Sequence, residues 1–266
     1  MARDFLTLHR VKEHYNESLN YFNENQIIGI FLQGSQNYGL ELPTSDVDTK
    51  LIVVPSFEDI VLNRKPISTT HIRENEEHID FKDIRLYMET FKKQNLNFLE
   101  ILFTLYAIVN DCYYDDWYKL YEAREEIARM NPYRAVKSMK GIAMEKWHAM
   151  EHEYPSKVEV LAKHGYDPKQ LHHLLRVEDY LERYIAGESY ESCLRPSDPG
   201  YLMDIKIGVL TLDEARRIGQ KSIEHVIDIA DRFCEKQENV EDKEVRALLE
   251  EVQTAIMKKA ILNELL

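Results

Sequence analysis

The sequence predicts an α+β protein, with a small mixed-sheet unit at the front of the chain and a larger all-helical unit behind it. Three observations carry that reading. Every convincing strand pattern falls before about residue 83, where short β-branched or aromatic runs are bounded by Gly, Ser, Pro or charge. From Ile84 onward apolar residues instead recur three and four apart. With 9 Gly and 8 Pro in 266 residues, breaks are few and the later patterns can run as long helices. A chain of this length suits one large or two modest domains, and the change of pattern divides it into 1–110 and 111–266.

In chain order, residues 1–19 are charged and amphipathic, with no apolar core of a signal peptide. Strands are expected over 26–32, 49–54 and 77–82. Leu86 and Phe91, then Phe98, Leu99, Leu102 and Phe103, indicate two helices interrupted around Gln94-Asn95, the 98–103 run packing between the two units. Further helices are expected over about 113–128, 132–151, 168–186, 212–235 and 242–264. Asn131 is a natural cap for the second of these, and Pro132 suits its first turn. Residues 187–200 read as a loop and the acid-rich 235–244 as a solvated connection. The amphipathic helix 245–266 can pack on its own chain or on a second copy.

Composition narrows the function classes. No apolar run approaches the roughly 18–20 residues of a spanning helix, so a cytoplasmic protein without a membrane partner is expected. Cys112, Cys193 and Cys234 lie far apart without a Cys-x-x-Cys pair, which argues for neither a disulfide framework nor a zinc cluster. With 34 Lys+Arg against 47 Asp+Glu the net charge is −13, which opposes nonspecific binding to nucleic acid. A polyanion partner would need a local basic patch.

The residues that carry chemistry follow the first expected strand. Gly34-Ser35-Gln36-Asn37-Tyr38-Gly39-Leu40 is succeeded by Thr44-Ser45-Asp46-Val47-Asp48, which leads into the second strand. Gly34 permits close backbone approach to a ligand, and Ser35 offers a hydroxyl and an amide at a helix N-terminus, a seat for phosphate oxygens. Asp46 and Asp48, two apart at a strand start, project to one face and can share a hard divalent cation. Asp80 is the third candidate carboxylate, on a strand where Ile79 and Phe81 alternate around it; Asp83 would point the other way. Clustered carboxylates repel, so confining them makes sense when cations neutralise them. Two Mg²⁺ ions about 3.5–4 Å apart would bridge a triphosphate and acidify an attacking hydroxyl, with Asp80 able to accept its proton. In the helical half, Lys169, His173 and Arg176 fall at i, i+4 and i+7, close in sequence to Lys163, His164 and His172. They form a cationic stripe suited to the phosphates of a nucleotide or of an acceptor. His71, His78, His148 and His152 lack metal-ligand spacing, and most of the 16 tyrosines read as packing residues.

Gly-Ser followed by Ser-Asp-x-Asp and a distant Asp resembles the DNA polymerase β-type nucleotidyltransferase superfamily. The wording here is similar to a family of predicted bacterial and phage nucleotidyltransferases with an RNA-repair-associated branch. Gln94-Asn95-Leu96-Asn97-Phe98-Leu99-Glu100 and Gly165-Tyr166-Asp167-Pro168-Lys169 through His173 and Arg176 extend the likeness, which spans roughly residues 30 to 215. Leu96 departs from the family's usual Asn-Pro-Asn. The resemblance implies a polymerase-β-like core and a helical domain closing the active-site cleft. It implies Asp46, Asp48 and Asp80 as catalytic metal ligands, for Mg²⁺ or alternatively Mn²⁺. Gly34 and Ser35 would touch the triphosphate, with Tyr38, Ser45, Lys169, His173 and Arg176 as further nucleotide-binding residues. The activity it implies is transfer of a nucleoside monophosphate from an NTP to an acceptor hydroxyl with release of pyrophosphate, the acceptor being an RNA end, tRNA-like in that branch. Two other readings stay open: an antitoxin-type or regulatory enzyme that modifies a protein hydroxyl (AMPylation), and an NTP-binding module without turnover.

Overall fold

The computed structural model describes residues 2–266. Contacts divide the chain into two compact units: one comprises the chain up to Asn37 with Glu41–Met130 and Glu241–Leu266, the other Tyr38–Leu40 with Asn131–Val240. Segments 111–130 and 241–266, assigned to the helical half by their periodicity, thus pack with the sheet. The α+β class is as expected.

The sheet unit is built on strands β1 (Ile27–Gln33), β2 (Asp48–Val53), β3 (Ser68–Ile72), β4 (His78–Asp83) and β5 (Ala107–Val109), in the order β3-β4-β2-β1-β5. β2 and β4 run parallel and the remaining neighbours antiparallel, so the sheet is mixed. The three expected strands form within a residue or two of their predicted bounds. β3 and β5 were not expected: β3 is largely exposed and so lacks the alternation that marks a half-buried strand, and β5 is only three residues long. Its helices are α1 (Ala2–Ser18), α2 (Phe57–Val61), α3 (Ile84–Lys92), α4 (Leu96–Leu99), α5 (Tyr114–Glu122) and α6 (Arg124–Ala128).

Alternation decides the two faces of the sheet. Val11 of α1 packs with Ile30, Leu32, Leu51, Val53, Ile79 and Phe81, a wholly apolar core. The intervening residues Gln33, Asp48, Lys50, His78, Asp80 and Lys82 therefore point to the opposite face. A one-residue slip of β2 or β4 would bury these charges and expose the core side chains, so the apolar face fixes the register of the polar one. Asp83 lies on the core side, buried, where it accepts from Arg85 N–H and pairs with the Arg85 guanidinium to cap α3. Its side chain thus faces away from Asp80, as the alternation along the strand predicts. The break at Gln94-Asn95 is also observed: Gln94 adopts φ +56°, and Asn95 caps α4.

The helical unit comprises α7 (Pro132–Ala149), α8 (Val158–His164), α9 (Pro168–Ile185), α10 (Tyr190–Leu194), α11 (Pro199–Ile207) and α12 (Leu212–Lys236). α9 is its centre and packs against α7, α11 and α12. It buries Leu171, Leu174, Val177, Leu181 and Tyr184, each contributing about 1.5–3 kcal/mol relative to exposure. Asn131 caps α7 as expected, accepting from Arg134 N–H at 3.0 Å. Gly165-Tyr166-Asp167-Pro168-Lys169 is a helix corner. Gly165 ends α8 at φ +77°, and Asp167 starts α9 by accepting the Lys169 N–H at 2.9 Å ahead of Pro168. The loop expected over 187–200 is corrected. Ser189 accepts the Ser192 N–H and caps α10, whose Tyr190, Cys193 and Leu194 are buried, and Pro199 already begins α11. A five-residue helix is too short for its periodicity to show.

α13 (Lys243–Leu265) belongs to the sheet unit, with Val245, Leu249, Val252, Ile256 and Ala260 buried. Ion pairs Lys259–Asp116 (2.7 Å) and Lys119–Glu251 (2.8 Å) tie it to α5. Its apolar face is thus used on its own chain. Among the described residues no helix is long and apolar enough to cross a membrane.

Among the described residues, His14 in the sheet unit and His172 in the helical unit are fully buried and hydrogen-bonded. In the sheet unit His14 Nδ1 meets Thr49 Oγ1 at 2.9 Å and Nε2 meets Glu77 Oε2 at 3.0 Å. In the helical unit His172 donates from Nδ1 to Leu202 O at 2.9 Å. Burial first, and nearby cations second, bring the pKa of each from 6.5 down to about 4. The unfolded chain therefore takes up these protons near pH 6.5 and the native one only near 4, so their stabilisation is intact above 6.5 and lost as pH falls towards 4. The difference is on the order of 3 kcal/mol per histidine. Urea midpoints should fall between pH 7.5 and 5, and His172→Gln should flatten the profile; a profile unchanged by that substitution contradicts this assignment.

Candidate active site

The polar face of the sheet brings together most of the front-half candidates. β1 and β2 pair so that Gln33 lies opposite Asp48, which puts Gly34-Ser35, immediately after β1, beside the start of β2. Gly34 takes φ +109°, a backbone conformation strained for any other residue, although a Cβ there would meet nothing closer than 3.8 Å. Glycine is required here by conformation and not by crowding. Two expectations for this turn are corrected. Ser35–Asn37 is a single 3-10 turn and not the start of an α-helix, so no macrodipole reinforces the seat. The Gly34 amide donates to Glu100 Oε1 at 2.8 Å, so a phosphate oxygen would have to replace a carboxylate there. The Ser35 hydroxyl has no hydrogen-bond partner among the described residues.

The backbone around Asp46 is held from three sides. Arg10 Nη1 donates to Ser45 O at 3.2 Å, Gln36 Nε2 donates to Asp46 O at 2.7 Å, and the Val47 amide donates to Glu77 Oε1 at 3.0 Å. Ser45, expected to touch the nucleotide, instead accepts the Leu42 N–H on its Oγ at 2.8 Å and closes the turn. The Asp46 carboxylate is exposed and unpartnered among the described residues. Asp48 is half exposed; its Oδ1 accepts the His78 amide at 3.2 Å, leaving Oδ2 open.

Glu77 holds this arrangement together. Its carboxylate is 1 % exposed and accepts from Arg10 and the Val47 amide on Oε1, and from His14 (3.0 Å), Arg73 (2.7 Å) and Asn75 (2.7 Å) on Oε2. One side chain thereby ties α1, the Asp46 loop and the β3–β4 turn.

Asp80 lies beside Lys50 in the parallel pairing of β2 and β4. Its Oδ2 takes the Lys50 ammonium at 2.9 Å and its Oδ1 the Thr70 hydroxyl. Partial burial works against the ionised form, but Lys50 and Thr70 prevail and hold the carboxyl below the usual carboxylate range. Lys50 is 4 % exposed, and its ammonium also sits 4.6 Å from the centre of the Phe98 ring, with Lys82 at 4.2 Å. Burial first and the neighbouring Lys50 second lower the pKa of Lys82. Among the described residues no three acidic, His or Cys side chains form a preassembled metal cluster. Asp46 and Asp48 have the free oxygens that suit Mg²⁺ or Mn²⁺, whereas Asp80 is committed to Lys50. Lys50 was missed in the sequence, although its i+2 spacing from Asp48 signals a shared face; nothing in the sequence marked Glu77 as a hub.

The remaining candidates lie in the helical unit and do not form an open stripe. Lys169 is exposed, His173 is mostly buried, and Arg176 is buried with its guanidinium carbon 4.0 Å from the centre of the Tyr38 ring. Burial and the charges of Arg176, His172, Lys169 and Lys146 pull the pKa of His173 well below 6.5, so it contributes no positive charge at neutral pH.

No family model matches this chain, and no curated protein does.

Replacing Glu77 by Gln leaves the Arg10 and Arg73 guanidinium groups without their shared buried counter-charge. Urea unfolding should show a loss of about 3–5 kcal/mol; a loss under about 1 kcal/mol contradicts the role given to Glu77.

Proposed function

We propose that the sheet unit is the catalytic core of a divalent-metal-dependent nucleotidyltransferase, moving a nucleoside monophosphate from an NTP to an acceptor hydroxyl with release of pyrophosphate. One observation supports this most: Gly34-Ser35 at the end of β1 lies beside Asp48 at the start of β2, with Asp46 held immediately before it and Asp80 on the same face of the adjoining strand. Asp46 and Asp48 would hold the metal, which when bound screens the triphosphate and acidifies the acceptor hydroxyl. The acceptor oxygen forms a bond to the α-phosphorus as the bond to the β-phosphate oxygen breaks, and its proton passes to solvent or to a carboxylate. Asp80, kept ionised by Lys50, is a weak base; its role on this reading is to fix the Lys50 ammonium on the reacting face. The Ser35 hydroxyl would donate to a phosphate oxygen. Positioning and charge stabilisation suffice for this chemistry without a covalent nucleophile.

The resemblance in the sequence favours an RNA end as acceptor, and the net charge of −13 favours one positioned end over general polynucleotide affinity. The second reading, an NTP-binding module without turnover, is favoured by the Lys50–Asp80 pair and by Glu100 on the Gly34 amide, since both occupy groups the reaction would use. Purified protein incubated with each α-labelled NTP, Mg²⁺ and either total RNA or cell lysate separates the cases: label on RNA, label on protein, or binding alone. Asp46→Asn and Asp48→Asn should each lower transfer at least about a hundredfold with the thermal midpoint preserved; transfer at the wild-type rate overturns the proposal.

A further inference from the structure

The sheet face that carries Asp80 and Lys50 continues beyond them. Strand pairing sets Asp80 beside Lys50, Lys50 opposite Phe31 and Phe31 opposite Ala107, so one row on that face crosses β4, β2, β1 and β5. At its β5 end the row is apolar. The Phe31 ring lies back over Gly29, where a Cβ would come within 3.0 Å of Phe31 Cζ and 2.9 Å of Ile108 O, so glycine leaves the room that ring occupies. Trp117 of α5 covers Phe31 with its ring centre 4.5 Å away. Between α5, β5 and the segment carrying Ile101 and Thr104 lies a cavity of about 360 Å³, and none of its described lining residues is charged. Tyr114, Tyr118 and Tyr121 line its exposed side at i, i+4 and i+7 along α5. Their rings are close to parallel, at 14° and 27° between neighbours with centres 5.9 and 5.8 Å apart. Tyr114 is 51 % exposed and Tyr118 42 %, which leaves a contiguous aromatic row in water that a ligand would cover.

We propose that this cavity is a subsite for a nucleobase, the neutral planar ring of a nucleotide substrate. Aromatic walls select a flat π-system, which stacks on tyrosine whichever hydrogen-bonding edge it carries. The uncharged lining selects a neutral one, because an ionised group buried there would go uncompensated. The size is that of a small-molecule pocket and too small for a protein segment. The phosphates of such a substrate must then lie outside the cavity, and its position provides for that. Thr104, in the cavity wall, donates to Asn37 Oδ1 at 2.6 Å, and Glu100, the neighbour of Ile101, accepts the Gly34 amide. The cavity and the Gly34-Ser35 turn thus share one wall, with the ring on one side and the candidate phosphate seat on the other. Stacking in place of edge recognition makes the subsite tolerant of base identity, with purines favoured by their larger ring. Calling the ring a nucleobase rests on the nucleotidyltransferase reading; that the cavity takes a neutral planar ring rests on its aromatic, uncharged lining. Either the NTP or the terminal nucleotide of an RNA acceptor can supply the base.

The test is titration of wild type, Tyr118→Ala, Tyr118→Phe and Tyr114→Ala with adenosine, guanosine, cytidine and uridine in metal-free buffer, read by calorimetry and by quenching of tryptophan fluorescence. Nucleosides carry the ring without phosphate, so their binding needs neither the Gly34-Ser35 turn nor a metal. Purine nucleosides should bind wild type saturably and quench its fluorescence. Tyr118→Ala should bind them at least about fivefold more weakly with the thermal midpoint preserved, whereas Tyr118→Phe, which keeps the ring, should bind as wild type does. Tyr114→Ala should also weaken binding, and it serves as the test if Tyr118→Ala does not fold. Transfer kinetics then separate the two sources: in Tyr118→Ala a raised KM for NTP assigns the subsite to the NTP's base, and a raised KM for the RNA acceptor assigns it to the acceptor's. Absence of saturable nucleoside binding, affinity unchanged in both alanine variants, or binding of tetramethylammonium in place of nucleosides overturns the subsite. Tyr118-dependent nucleoside binding in a protein that transfers no nucleotide would retain the ring site and remove the nucleotidyltransferase reading.

Discussion

The carboxylate of Glu77 is the interaction on which the candidate active site depends. A buried carboxylate is stable only if its oxygens are saturated, and Glu77 meets that demand with five donors drawn from three separate parts of the chain: Arg10 and His14 from α1, Val47 from the loop before β2, and Arg73 and Asn75 from the turn before β4. On the proposed reading the Val47 amide matters most. It fixes the backbone one residue after Asp46, while Arg10 fixes it one residue before, at Ser45 O. The Asp46 carboxylate, which makes no bonds of its own among the described residues, is thus presented by bonds to its neighbours. Such indirect support is what a ligand residue requires, because its own oxygens must stay free.

Charge is treated differently in the two units. On the sheet, the buried Lys50 ammonium is matched by Asp80, and the arginines around Glu77 by that carboxylate and by Glu17. In the helical unit, Arg176 is nearly as deeply buried and has no matching acid among the described residues. A chain with 47 acidic residues has no shortage of counter-charges, so a buried guanidinium without one lowers the stability of the free protein. A net charge of −13 therefore describes the surface in bulk and misses the local potential around α9.

Much of the fold was legible because the apolar periodicity is strong where elements are long and half-buried. Helices α7, α9, α12 and α13 fall within two residues of their expected bounds, and β1, β2 and β4 within a residue or two. What was not legible is short or exposed. β3 has no buried face, β5 has three residues, and α10 is a single turn and a half held by Ser189. The site was partly legible for a related reason. Period-two alternation predicted that Asp80 and Asp83 face opposite ways, but alternation says nothing about partners. That Asp80 would meet Lys50, that Glu100 would meet the Gly34 amide from 66 residues away, and that Ser45 would close its own turn all depend on strand register and tertiary approach. The i, i+4, i+7 spacing of Lys169, His173 and Arg176 placed them on one side of α9 but could not show that this side turns inward at Arg176.

The central claim is that the clamp around Glu77 presents Asp46 and Asp48 as ligands for one divalent cation. It is tested most directly by electron paramagnetic resonance of free Mn²⁺ titrated with protein, which reads the ion itself and not turnover. The account predicts that wild type depletes the free-ion signal saturably and that Asp46→Asn and Asp48→Asn, folded to the same thermal midpoint, do not. Equal depletion by wild type and both variants, or none by wild type, would contradict it.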